Sequence, residues 1–546
     1  MDSRLLEAQA LLRQGQVQLA EILCRQAVAD DAGLAPGWAM LGSIAAYRKD
    51  FAQAASLLER ALAIDASSAD MHFRLGVLRN QLGQWDAALA AFDASLARMP
   101  GAPQALNLRG EALGHLGRWE EALASFEQAV AQSPDSAVAQ MNLGVSLYEL
   151  YRFDAALHAL ERALALAPDN LEVLFNRANV LMELDRFDEA LAGFERVRAH
   201  RPGDVQLLMN IANTLRDQHR FDEALRTYAQ ALALAPDDAG LNWNRALCLL
   251  TAGDYERGWA AYEWRFRAGK LGNVQRGIDA PKWTGSEDLQ GRTLLVHAEQ
   301  GLGDTIEMAR YLPLLAERGA KVVMEVQRPL LPLFQFARGA TRVVGPGEVV
   351  QADFHCPMLS LPHVFGTGRG NIPPAVGWLA PPADLVARWK DVISSRAGTG
   401  PNVGLVWSGN PGYAGDHRRS LSLERFRTAL PAGPRYWCLQ KDIAVADEPS
   451  LSVDPVIQRF AENDFPNTAA QIAALDLVIT VDTSLMHLAA TLGARTWLLL
   501  PFTADFRWGT DTQESPWYPG MRLFRQQRAG DWAPVLAEVR AALVQA

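Results

Sequence analysis

RFDAALHALERALALAPDNLEVLFNRANVLMELD, residues 152–185, is one unit of a register that runs through the first half of the chain. Its Phe153 has counterparts every 34 positions at Val17, Phe51, Trp85, Trp119, Phe187, Phe221 and Tyr255. Three residues after each stands Ala20, Ala54, Ala88, Ala122, Ala156, Ala190, Ala224 or Gly258. Gly42, Gly76, Gly110, Gly144, Ala178, Ala212 and Ala246 keep a second small-residue register, and Pro100, Pro134, Pro168, Pro202 and Pro236 close successive units. Small residues let paired helices approach, an aromatic ring fills the space between them, and proline ends a helix. The period therefore predicts a helix–turn–helix unit, repeated about seven to eight times over residues 1–270 and stacked into a solenoid.

A period of 34 with this pattern is the tetratricopeptide-repeat (TPR) signature. Such a solenoid is a groove for a peptide, so the C-terminal half of the chain is expected to act on a protein. Asn142, Asn176, Asn210 and Asn244 recur at the same interval, with Asn179 and Asn213 one helical turn further on the same face. Asparagine both donates and accepts, so this ladder suits the backbone of an extended peptide; it also suits the repeat's own packing, and both readings are open. The last unit is rich in aromatics: Tyr255, Trp259, Tyr262, Trp264 and Phe266. They predict either a capping helix or a helix packed against another domain.

Composition narrows the classes. A formal net charge of −10 argues against broad nucleic-acid or anionic-membrane binding, which needs a basic surface. No apolar run approaches a membrane span, and the N-terminus lacks the pattern of a secretion signal. The four cysteines, Cys24, Cys248, Cys356 and Cys438, form no CxxC pair and read as reduced thiols of a cytoplasmic protein. HExxH, Walker A, GxSxG, DxD and Cys/His metal patterns are absent from the sequence, so no metal or other cofactor is expected.

Beyond a Gly- and Pro-bearing linker at 271–290, which includes Gly272, Gly277, Pro281 and Gly285 and comes after Gly269, the pattern changes to strand, helix, strand. Apolar runs at 293–298 and 321–326, with weaker ones at 341–344 and 353–355, make a first α/β half over 291–382. Runs at 402–407, 436–440, 477–481, 496–500 and 521–524 make a second over 383–546. Alternation of this kind means parallel sheets, with a ligand cleft at the carboxyl ends of the strands.

Four segments at strand ends carry possible chemistry. Gly301-Leu302-Gly303-Asp304 opens a helix, where the glycines allow close approach and Asp304 is either a helix cap or a general base. Asp482-Thr483-Ser484, with His487 a turn later, could hold a diphosphate on hydroxyls and helix N–H groups, or be an ordinary helix start with a packed histidine. Ser408 and Asn410 precede Arg418 and Arg419, which together with Gln440 and Lys441 could neutralise a departing phosphate or be merely solvated. Ser515-Pro516-Trp517-Tyr518-Pro519 is a rigid aromatic loop, at the cleft border or in the core.

GLGDTIEMARYLP (301–313), VGLVWSGNP (403–411), DTSLMHLAATLGA (482–494) and SPWYPGMRLFRQ (515–526) together resemble the catalytic half of bacterial TPR-fused glycosyltransferases. These are similar to the heptosyltransferase group of GT-B enzymes, and within them the flagellin glycosyltransferases match best. The resemblance implies a TPR solenoid followed by a GT-B domain of two Rossmann-like halves. It implies an inverting, metal-independent enzyme that moves a sugar, such as pseudaminic acid, from a nucleotide-sugar to Ser/Thr of flagellin. By position it makes Asp304 the base and the Asp482–His487 run the donor-nucleotide loop. The Asn ladder resembles that of the O-GlcNAc transferases. A transferase acting on lipopolysaccharide or another glycan, and a non-catalytic scaffold or chaperone, are the alternatives.

Overall fold

The computed structural model describes residues 2–268, 278–396, 400–413, 415–510 and 513–545. Of the glycines expected in the linker, Gly269, Gly272 and Gly277 lie outside the described residues. The chain divides into two compact units, Met1–His200 and Arg201–Ala546.

Sixteen α-helices among the described residues, from Ser3–Arg13 to Tyr255–Tyr262, pair into helical hairpins, six pairs in the first unit and two in the second. The small-residue register works as the sequence indicates. A β-carbon on Gly76 would lie 2.5 Å from Phe92 Cε1, and one on Gly110 2.6 Å from Phe126 Cε1. Where alanine takes this register at Ala178, glycine appears opposite it: a β-carbon on Gly193 would sit 3.1 Å from Ala178 Cβ. Gly110→Val is therefore expected to destabilise the solenoid by about 1–3 kcal/mol, through overpacking against Phe126. Thermal unfolding followed by circular dichroism measures it, and an unchanged midpoint would refute the packing argument.

A further register at the hairpin turns is visible only in the backbone. Gly15, Lys49, Gly83, Gly117, Tyr151, Asp185, His219 and Gly253 all have φ between 57° and 84°. Each turn needs one left-handed residue, which glycine adopts without strain and the other four adopt because the flanking helices hold them there.

The second unit adds two parallel sheets to its two helix pairs. The first has order β3-β2-β1-β4, from β1 (Thr293–His297), β2 (Lys321–Glu325), β3 (Arg342–Val344) and β4 (Phe354–Pro357). The second has order β10-β9-β8-β5-β6-β7. Its strands are β5 (Asn402–Val406), β6 (Arg435–Cys438), β7 (Ile457–Arg459), β8 (Leu477–Val481), β9 (Thr496–Leu500) and β10 (Arg522–Arg525). β8 and β9 are buried along their whole length, as interior strands of a parallel sheet are. β7 was not foreseen: Ile-Gln-Arg is too short and polar to carry a strand pattern, and it forms by pairing on the edge of β6.

Residues 278–290 are more than a linker. Trp283 is fully buried, its backbone N–H donates to His355 O at 2.8 Å, and His355 N donates to Pro281 O at 3.0 Å. This segment lies along β4 because the edge of that strand offers unpaired backbone groups.

The aromatics of the last repeat pack against the α/β region. Trp517 Nε1 donates to Tyr255 Oη at 3.3 Å, and the Trp259 ring meets those of Phe506 and Trp517 edge to face. Arg265, fully buried, forks onto Glu299 at 2.9 and 3.0 Å. Gln300 Nε2 donates to Tyr262 Oη at 3.0 Å. Of the two readings of these aromatics, packing against a neighbouring domain is the one the structure adopts.

Candidate active site

Two short helices meet at the carboxyl ends of the sheets. Leu302–Met308 follows β1, and Ser484–Thr491 follows β8 at the point where the strand order of the second sheet turns back to β5. Gly303 lets them touch: a β-carbon there would lie 2.8 Å from His487 Cδ2 and 3.5 Å from the Ser484 Cα. Two motifs far apart in sequence thus form one site, where ligands bind in sheets of this kind.

Asp304 is the third residue of its helix. Gly301 N donates to its Oδ2 at 2.9 Å, and Arg507 Nη2 donates to its Oδ1 at 2.6 Å. The capping reading is realised, and the carboxylate keeps 23% exposure. Each oxygen retains a lone pair for a further partner.

Arg507 is the residue that sequence reasoning missed. It lies in the 3-10 turn Phe506–Trp508, which follows β9. Beside Asp304 it pairs with Asp505 Oδ1 at 2.8 Å and with the fully buried Glu307. Burial works against its charge, yet Asp505, Glu307 and Asp304 together hold the guanidinium well above its ordinary value. Burial pushes the Glu307 carboxyl up, with Arg507 and Arg310 opposing. The signal that could have found Arg507 is its position, in the loop leaving the carboxyl end of a buried parallel strand.

The Asp482 loop is held from two sides. Trp508 Nε1 donates to Asp482 Oδ2 at 2.8 Å, and Arg419 Nη1 donates to Asp482 O at 2.6 Å. Burial and then Asp505 raise the Asp482 carboxyl, while Arg419 opposes. Thr483 precedes the helix, and its buried Oγ1 has no hydrogen-bond partner among the described residues. Ser484, half-buried, is the first helical residue.

His487 is buried among Gly303, Trp508 and Tyr518, with Nδ1 2.6 Å from Tyr518 Oη. It packs rather than opening to a ligand, which corrects the expectation that it binds the donor. Burial, then Arg507, Arg310 and Arg419, push its imidazole well below the ordinary 6.5, so it is neutral near pH 7. A depressed folded value means the unfolded chain takes up the proton first. The stability from neutral His487 is complete above its unfolded pKa and is lost as pH falls through about 6.5 toward the folded value. Between about pH 7 and 5 the wild-type melting temperature should fall more steeply than that of His487→Gln. Asp482 contributes in the opposite sense to both proteins, so parallel slopes would refute the assignment.

Residues 458–519, which hold this loop and Arg507, match the family Glycosyltransferase family 9 (heptosyltransferase). Residues 39–103, 81–137, 147–211 and 209–263 match tetratricopeptide-repeat families. The chain joins tetratricopeptide repeats to a family 9 glycosyltransferase domain. Protein FlbA of Caulobacter vibrioides is 29% identical over 327 residues, which are 55% of this chain and 54% of that protein. The chain thus spans about half the length of the curated relative it matches. Two solved TPR structures are similar to about a third of the chain. YrrB is 24% identical, over 34% of this chain and 95% of that one, with a TM-score of 0.30. TTC0263 of Thermus thermophilus is 29% identical, over 34% of this chain and all of that one, with a TM-score of 0.29.

The other expected donor residues of the glycosyltransferase domain separate. Arg419 belongs to the site: besides Asp482 it contacts Asp416 Oδ1 at 3.0 Å and stacks over Tyr413. Gly409 permits this, since a β-carbon there would meet Arg419 Nη2 at 2.6 Å. Arg418 turns toward the repeats, with Nη1 3.7 Å from Asp217 Oδ2 on the helix Val205–Asp217. Gln440 is a correction. Its Oε1 accepts from Trp407 N and Ser408 N, and its Nε2 donates to Ser408 O and Asp442 O. Those four bonds fill the amide's capacity and fix the loop after β5, so Gln440 positions Ser408 and leaves nothing for a ligand. Asn410 Oδ1 accepts from Gly412 N at 2.9 Å and shapes an exposed turn. Lys441 lies over the Phe465 ring, where burial brings its ammonium down to about 8.

The Asn ladder is largely engaged inside the solenoid. Asn142 Nδ2 donates to Asn107 Oδ1 at 3.1 Å and to Glu111 Oε1 at 3.0 Å, across adjacent repeats. Asn210 is buried and accepts from Gln206, Asn213 Oδ1 accepts from Tyr228, and Asn244 Nδ2 donates to Gly240 O. Asn176 and Asn179 are half-buried. An unobstructed row of amides is therefore not what the ladder presents: Asn142 bonds to the adjacent repeat, and Asn210, Asn213 and Asn244 bond within their own helix pair.

Proposed function

We propose that this glycosyltransferase is an inverting, metal-independent protein O-glycosyltransferase. It takes a sugar from a nucleotide-sugar donor, with a nonulosonic acid such as pseudaminic acid the class the sequence resemblance implies. It transfers that sugar to Ser or Thr of a protein acceptor, flagellin, held along the repeats in the cytoplasm. The observation that carries this reading is the meeting of Asp304 with the family 9 segment, through Gly303 against His487 and through Arg507. The partly exposed carboxylate of Asp304 thus stands next to Gly303, which meets the start of the helix Ser484–Thr491.

In the reaction, the acceptor hydroxyl attacks the anomeric carbon as the bond to the donor phosphate breaks, and Asp304 accepts the hydroxyl proton. The first N–H groups of Ser484–Thr491, with the Thr483 and Ser484 hydroxyls and Arg419, hold the phosphate oxygens on which negative charge accumulates. Lys441 adds positive charge from beyond β6.

Intact mass of flagellin co-expressed with the chain, in a host that makes the activated sugar, tests the reading beside an Asp304→Asn control. A mass increment with the wild type alone supports it, and the increment gives the sugar class. Co-purification without any increment favours a scaffold, and modification of a glycan instead of the protein favours the lipopolysaccharide-type alternative.

A further inference from the structure

Asp304 lies among groups of both signs. Arg507 and Asp505 approach from the turn after β9, Glu307 lies one helical turn along, Tyr262 of the last repeat and Tyr413 feel the charge of Asp304, and His487 packs against the adjacent Gly303. One guanidinium thus serves three carboxylates, two of them on the helix Leu302–Met308. Glu307 is fully buried and its second oxygen, Oε1, has no hydrogen-bond partner among the described residues. The neighbouring Arg310 is also buried: its Nε donates to Glu307 O at 2.9 Å and its Nη1 to Trp517 O at 2.9 Å. A buried ion pair is weak evidence of a stabilising role, because burying both charges offsets their attraction and apolar replacement is often neutral or stabilising.

We infer that Glu307 is a positioning residue that acts through Arg507: by engaging Arg507 Nε it aims Nη2 at Asp304 Oδ1 and shares the guanidinium charge, so that Asp304 points into the cleft and stays able to accept a proton. The geometry supports the coupling. Glu307 and Asp304 occupy one face of a single helix, three residues apart, and the guanidinium spans them with different nitrogens. Without Glu307 the fork is free to rotate and to bind Asp304 with two nitrogens, closing the lone pairs that the acceptor hydroxyl needs. The inference rests on Asp304 being the base.

Glu307→Gln, Glu307→Asp and Asp304→Asn in the whole chain of 546 residues separate the possibilities, with kcat and donor KM measured on flagellin. For Glu307→Gln the expected result is a kcat at least tenfold lower with a donor KM within about twofold, the split expected when only the transition state loses an interaction. Glu307→Asp should restore part of the rate. Loss of rate with a raised KM and no rescue by Glu307→Asp would mean that Glu307 only supports the fold, overturning the inference while leaving Asp304 in place. An active Asp304→Asn enzyme would overturn the base assignment and this inference with it.

Discussion

Asp304→Asn is expected to lower kcat by about 10²–10⁴-fold, the range a positioned general base contributes. Asparagine keeps the size of the side chain and an oxygen that can accept from Gly301 N, so the helix start survives. What it loses is the negative charge and the ability to take a proton. Donor KM and acceptor affinity should stay within about twofold, since neither ground-state complex needs the proton transfer. Single-turnover transfer to flagellin together with acceptor binding by fluorescence anisotropy reads both. Full activity in this variant would move the base elsewhere; lost acceptor binding would show that Asp304 holds substrate instead.

Arg507→Leu is expected to destabilise the second unit by about 3–5 kcal/mol, because it leaves the buried Glu307 without its compensating charge. Arg507 is only 9% exposed, and through Asp304 and Glu307 it ties the helix Leu302–Met308 to its own turn, where Asp505 is the third carboxylate. The double variant Arg507→Leu/Glu307→Leu should recover much of the loss, since the orphaned charge is then gone. Trp508 and Trp517 lie beside this network and report its melting through their fluorescence. A loss below about 1 kcal/mol would place the pair in the weak class of surface ion pairs. The solenoid of the first unit should melt as before, because its own neighbouring repeats hold it.

The repeats were the most legible part of this chain. Steric fit between Gly110 and Phe126, or Gly76 and Phe92, is local, so a residue period writes it directly into the sequence. The strands of the second unit were nearly as legible, because buried parallel strands are continuous apolar runs. β7 escaped because three residues carry no period and its formation depends on the edge of β6. At strand ends, Asp304, Thr483, Ser484 and Arg419 were expected near one another, and the structure brings them together. The same rule misassigned Gln440 and His487, whose side chains turn to neighbouring backbone and core. It also overlooked Arg507, whose flanking residues show no motif and whose partners, Asp304 and Glu307, lie on a helix far away in the sequence.

Sequence by itself determined the solenoid, the two parallel α/β halves and the strand-end loops in which chemistry is expected, because each rests on local periodicity, packing volume and backbone preference. Tertiary structure alone decided that Gly303 brings the loops after β1 and β8 together, that one arginine joins three carboxylates, and that most of the Asn ladder is bonded within the solenoid. Those outcomes depend on which distant side chains meet once backbone groups and charges leave water, and no spacing along the chain encodes such meetings.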